Sequence, residues 1–169
     1  MISESLILST LFDLLLGGII AMGWGILFNV PRNVLYVVGL LGGFGHSLRY
    51  FLLTGFDVPL VIATLSGTVA VGFLGILFAR KEDMPPVVFT MPACITMIPG
   101  LYAYNTMLGF VKMARLDVSA IESDLVTRTA HSFVITISLL FCLSIGITIG
   151  SLLFRKKTAR EIFKRHPNM

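Results

Sequence analysis

Five apolar runs, separated by short polar or proline-bearing breaks, take up most of this chain: Leu6 to Phe28, Val34 to Thr54, Val58 to Ala79, Val87 to Met113 and Thr129 to Phe154. Each is close to the roughly 20 residues a helix needs to cross the hydrocarbon of a bilayer. Inside hydrocarbon an unsatisfied backbone group costs several kcal/mol, so runs of this kind predict helices that satisfy their own hydrogen bonds. The chain is 56% hydrophobic and 13% charged, against about 25% charged in a soluble domain. The expectation is an all-α integral membrane protein forming a single membrane domain over residues 1–169. Its spans are expected at 6–28, 34–54, 58–79, 87–113 and 129–154, followed by a basic cytoplasmic tail at 155–169. The start, Met1-Ile-Ser-Glu-Ser5, lacks the basic n-region of a signal peptide, so the first span is expected to stay in the mature protein.

The fourth run carries the main irregularity. Phe89 to Tyr104 contains Pro92 and the pair Pro99-Gly100. Proline removes a backbone donor and clashes with the carbonyl one turn back, and glycine adds freedom at the same point. A helix broken at Pro99-Gly100 is therefore expected. Two readings follow. Broken helices are where many transporters bind substrate, and Pro and Gly are also ordinary in packing helices of membranes.

Few polar side chains lie within the runs. Asp13 is the one charge of the first run, about 8 Å from its outer end at 1.5 Å per residue. It either reaches the interface or serves a function, the usual reason for an intramembrane carboxylate. In the second run His46 and Arg49 follow a glycine-rich stretch at i, i+3 and so share a face. Arg49 either snorkels to the headgroups or lines a polar cavity with His46, which otherwise is a hydrogen-bonded packing residue. Tyr102 and Tyr104 follow the break, as site lining or as an interfacial belt. Small-residue repeats occur at Gly17, Ala21 and Gly25, at Gly39 and Gly43, and at Gly146 and Gly150. They permit close helix contact, the last two pairs being candidate surfaces for another subunit.

Five spans put the termini on opposite sides. With the N-terminus outside, nine Lys and Arg residues fall on the cytoplasmic side and four on the other, which the positive-inside rule favours. The basic tail then sits against anionic lipid, and nucleic acid is not an expected partner. Cys94 and Cys142 lie inside apolar runs without metal-ligand spacing and are expected as buried thiols. The chain contains no GxxxxGK[ST], HExxH or GxSxG motif, so neither ATP hydrolysis, a metal site nor hydrolase chemistry is expected. The protein is expected to be no enzyme and to need no cofactor. A structural adaptor remains the alternative to transport, since close-packing faces alone would serve that role.

Phe28-Asn-Val-Pro31, Gly45-His-Ser-Leu-Arg49, Val88-Phe-Thr90 and Ile98-Pro-Gly-Leu-Tyr-Ala-Tyr104 occur in this order. In them the chain resembles the small, C-terminal-half-like subunit of the threonine/serine exporter family, and within it the two-subunit bacterial succinate exporters. The likeness covers nearly the whole chain and is most specific from Phe89 to Met107. Where relatives often carry a further proline this chain has Thr96, so Pro92 is expected to supply the bend. The resemblance implies a subunit of a secondary exporter in the bacterial inner membrane, working with a separate larger membrane subunit. It implies a small carboxylate as substrate, succinate ahead of threonine or serine. The candidate substrate-binding residues are His46, Arg49, Pro99, Gly100 and Tyr104, with Asp13 and His46 as candidate proton carriers. These assignments come from the residues themselves: Arg49 offers a fork for a carboxylate, and the helix starting after Pro99 offers free N–H groups.

Overall fold

The computed structural model describes residues 4–116 and 122–165, with side-chain surroundings as far as Leu152 apart from Gly150. The described residues form six helices and a short 3-10 turn at Arg32–Val34. The helices are α1 (Glu4–Leu27), α2 (Leu35–Phe56), α3 (Leu60–Lys81), α4 (Val87–Ile95), α5 (Gly100–Arg115) and α6 (Ser123–Arg165). Three helix ends share one device. Asn29, Asp57 and Asp83 take the left-handed conformation, with φ of 56°, 51° and 49°. After α1, Val30 N–H donates to Gly25 O and Asn29 N–H to Ile26 O, the paired bonds of a Schellman end. Pro31, Pro59 and Pro85 follow within two residues and prevent the helices from resuming.

The buried positions of α1 are all small: Gly17, Gly18, Ala21 and Gly25. They face Gly39 and Gly43 of α2, where a Cβ on Gly18 would stand 3.1 Å from Gly39 O. The expected docking face at Gly39 and Gly43 is thus consumed within the chain. Gly146 is likewise used internally, against Thr68 and Gly72 of α3, and Gly150 falls outside the described surroundings. Gly39, Gly43 and Gly146 allow the expected close approach of backbones, but the backbone approached is this chain's own.

Packing pairs fix the directions. Gly45 lies against Gly67 and Val71, so α2 and α3 are antiparallel. Thr68 Oγ1 donates to Cys142 O at 3.0 Å and Gly72 meets Gly146, so α3 and α6 run parallel. Cys94 and Ile98 face Leu143 and Ser144, whereas Gly109 faces Thr129 and Phe110 stacks edge-on with Phe133. The α4–α5 pair therefore descends α6 from one end to the other, antiparallel to it.

α4 is the centre of the molecule. It packs against α1, α2, α3 and α6, and Phe89, Thr90, Ala93, Cys94 and the following Met97 are fully buried. Both cysteines are free and buried, as expected. Helices α1, α3 and α6 are long and apolar enough to cross a membrane, and the bent α4–α5 pair makes a fourth candidate. α2 has the length, at 22 residues, but its glycines, His46 and Arg49 keep its hydropathy down. α6 begins at Ser123, within the polar stretch between the fourth and fifth apolar runs. Residues 117–121 of that stretch and the tail end 166–169 lie outside the described residues.

The break falls at one of the expected points. α4 runs through Pro92, which is buried within it, so Pro92 does not supply the bend; the helix is interrupted between Ile95 and Gly100. The two halves meet at 61°.

Candidate functional site

The interruption is built in two steps. The end of α4 tightens, with Met97 N–H donating to Cys94 O and Ile98 N–H to Ile95 O, while Thr96 Oγ1 donates to Ala93 O. Pro99 then adopts φ −78° and ψ 62°, and Gly100 N–H donates to Ile98 O at 2.9 Å. That is an inverse γ-turn centred on Pro99. Its effect is to strand the carbonyl of Met97, which in a continuous helix would accept from Leu101.

Arg49 takes that carbonyl: its Nη1 donates to Met97 O at 3.1 Å. One helical turn earlier on α2, His46 Nδ1 lies 2.7 Å from Asp13 Oδ2 of α1. With the carboxylate ionised, the ring nitrogen carries the proton and donates it, which fixes the tautomer. Helices α1 and α2 and the break thus converge on one polar cluster.

Depth gives the cluster its meaning. α1 starts at Glu4, so Asp13 lies nine residues in, about 14 Å along the axis rather than 8. His46 is ten residues from the Phe56 end of α2, about 15 Å. Were α1 and α2 to cross a hydrocarbon layer about 30 Å thick, both residues would lie well inside it. An Arg near that depth costs roughly 2.5–3.5 kcal/mol on insertion scales. Here the cost is offset by a carbonyl that would itself be expensive to leave bare.

Glycines clear the space. A Cβ at Gly17 would touch His46, and one at Gly67 would stand 3.6 Å from Arg49 Cβ and 3.3 Å from Met97 Sδ. Gly100 is different: a Cβ there would meet nothing within 4 Å, and its φ is not positive. The fold does not require glycine at this position. In the first turn of α5, Gly100 and Ala103 N–H groups have backbone acceptors, while Leu101 and Tyr102 have none.

The sequence-derived candidates therefore separate. His46, Arg49, Pro99 and Asp13 gather at the cluster, and Gly100 borders it. Tyr104 is 63% exposed on α5, whereas Tyr102 is half-buried. Met97 was not legible as a participant, since a backbone carbonyl has no residue signature; its position two residues before a proline was the available signal. Among the described residues, no group of three or more His, Cys, Asp or Glu side chains is disposed to hold a metal.

Chemically, the cluster offers a guanidinium with donors beyond the one bound to Met97, two free N–H groups at a helix start, and a carboxylate–imidazole pair able to hold a proton. Comparison with known proteins supplies the context. Residues 13–153 match the Threonine/Serine exporter family. A protein of Haemophilus influenzae, described as uncharacterized, is 33% identical over 150 residues, covering 89% of this chain and 49% of its own length. The chain thus spans about half the length of that relative. No solved structure matches.

Proposed function

The chain belongs to the threonine/serine exporter family, and on that premise we propose that it is one subunit of a two-component secondary exporter of small carboxylates, succinate foremost. The observation that carries the reading is the Arg49 bond to Met97 O at the helix break. A carboxylate arriving at Arg49 meets a charge-assisted fork and, beside it, the unpaired N–H groups of α5. It competes with the Met97 carbonyl for the same donors, so substrate binding and the geometry of the break are one equilibrium.

The Asp13–His46 pair sets the charge of the site. With both groups protonated the pair is cationic, and the second carboxylate of a dicarboxylate is accommodated. With Asp13 ionised and His46 neutral, the site carries one positive and one negative group, complementary to a zwitterion. That last feature favours a second reading, export of threonine or serine, whose ammonium would sit on Asp13. In either case the pair is the proton carrier of the cycle.

Five crossings are part of the proposal. The parallel course of α3 and α6, with α4–α5 running back along α6, supports a broken span over a re-entrant loop. The nine-to-four division of Lys and Arg supports a periplasmic N-terminus and a cytoplasmic C-terminus in the inner membrane. The separate larger subunit would supply the half that the chain lacks relative to the Haemophilus influenzae protein.

The test is transport by this chain reconstituted with its companion subunit in liposomes, using labelled succinate and labelled threonine at several values of pH. Saturable movement of succinate, strengthened as protons are supplied, is the expected result. Movement of threonine alone would establish the second reading. Full transport by this chain without a companion would overturn the two-component proposal.

A further inference from the structure

The Asp13 carboxylate is only half provided for. Oδ2 is bound by His46, while Oδ1 has no hydrogen-bond partner among the described residues, and the side chain is 21% exposed. The opening leads into a groove of about 570 Å³ along α1, lined by Leu8, Phe12, Leu16 and, from α2, Tyr50, with Asp13 its one ionisable acid. Near the bilayer centre, lipid tails offer no donor, and ionisable side chains turn to the interior of a bundle or to one another. Beside Asp13 the polar residues lining the groove are Ser9 and Tyr50, and the rest of the lining is apolar.

We propose that this groove receives a transmembrane helix of the second exporter subunit, apolar except for one hydrogen-bond donor level with Asp13. This rests on the reading that the chain is one half of a two-component exporter. Three observations select that occupant. The free carboxylate oxygen calls for a donor within hydrocarbon. The buried positions of α1 are all glycine and alanine, and Leu8, Leu11, Phe12 and Leu15 are left more than half exposed. The chain also spans only 49% of the Haemophilus influenzae relative, so a comparable length of polypeptide is available to cover that face. The docked helix would close the groove and make Asp13 and His46 interior, which a proton carrier requires if protons are not to leak.

The test places a photoreactive benzoylphenylalanine at Phe12, or at Phe141 on the far side of α6, in this chain co-expressed with the second subunit in native membranes. Adducts are mapped by mass spectrometry. The expected result is an adduct joining position 12 to a membrane-spanning peptide of the second subunit, with position 141 giving lipid adducts. Filling the groove with Leu8→Trp should lower recovery of the complex by about tenfold, while Phe141→Trp leaves it unchanged. If the second subunit copurifies but crosslinks only at position 141, the two-component reading stands and this docking site falls. Adducts between two copies of this chain, or with lipid alone at position 12, would also overturn it. Failure of any second subunit to copurify removes the two-component reading itself, and the docking site with it.

Discussion

Arg49→Lys separates two uses of the same side chain. In the structure Arg49 makes one bond within the chain, from Nη1 to Met97 O at 3.1 Å. A lysine ammonium on a stem of similar reach can make that bond too, so a residue that merely ties α2 to the break is replaced at little cost. A residue that also receives a substrate carboxylate is not, because an ammonium cannot present the planar two-point fork. Loss of one charge-assisted hydrogen bond is worth about 1.5–3 kcal/mol, which is roughly a tenfold to hundredfold weakening of affinity. The assay is the half-saturating concentration of labelled substrate in liposomes, for wild type and Arg49→Lys at matched amounts of assembled complex. The fold should survive, as judged by an unchanged elution profile in detergent. A rise of the half-saturating concentration by at least an order of magnitude is expected. An unchanged value would refute substrate recognition by Arg49 and leave it as a cap on α4.

Other positions give independent checks. Gly100→Ala should fold and assemble normally, since the added Cβ meets nothing within 4 Å, yet slow transport if a substrate occupies that space; a variant with normal stability and normal transport would move the site away from the start of α5. Gly43→Leu drives a side chain into the backbone of α1 at Leu14 and Gly18 and should abolish recovery of folded protein, whereas Gly23→Ala, facing open space, should be neutral; size-exclusion profiles compare the two. Cysteines introduced at Glu82 and Leu116, in a background lacking Cys94 and Cys142, should label from opposite sides of the membrane, and labelling from one side would make α4–α5 a re-entrant loop.

The apolar runs located the helices well because burial in hydrocarbon depends on length and composition alone: Val34 to Thr54 became Leu35–Phe56, and Val58 to Ala79 became Leu60–Lys81. The break was legible in Pro99 because proline acts on its own backbone. Pro92 misled for the complementary reason, since the helices around α4 hold it straight through a missing hydrogen bond. What escaped were the pairings. His46 lies 33 residues from Asp13, and Arg49 lies 48 from Met97; nothing in a single chain's residue types states which of several helices will face one another. The same limit hid the destination of Gly39 and Gly43, whose spacing announces close contact without naming the neighbour.

The turn at Pro99 has a mechanical side. α5 has 16 residues and is therefore an arm about 24 Å long, rooted at a single residue. A swing of about 20° at that root would carry the far tip through about 8 Å, more than one helical pitch, while the guanidinium of Arg49 beside the root travels almost nowhere. Such a swing would make α5 a lever with its fulcrum in the polar cluster. Thr129, seated against Gly109, ties the outer half of that arm to α6.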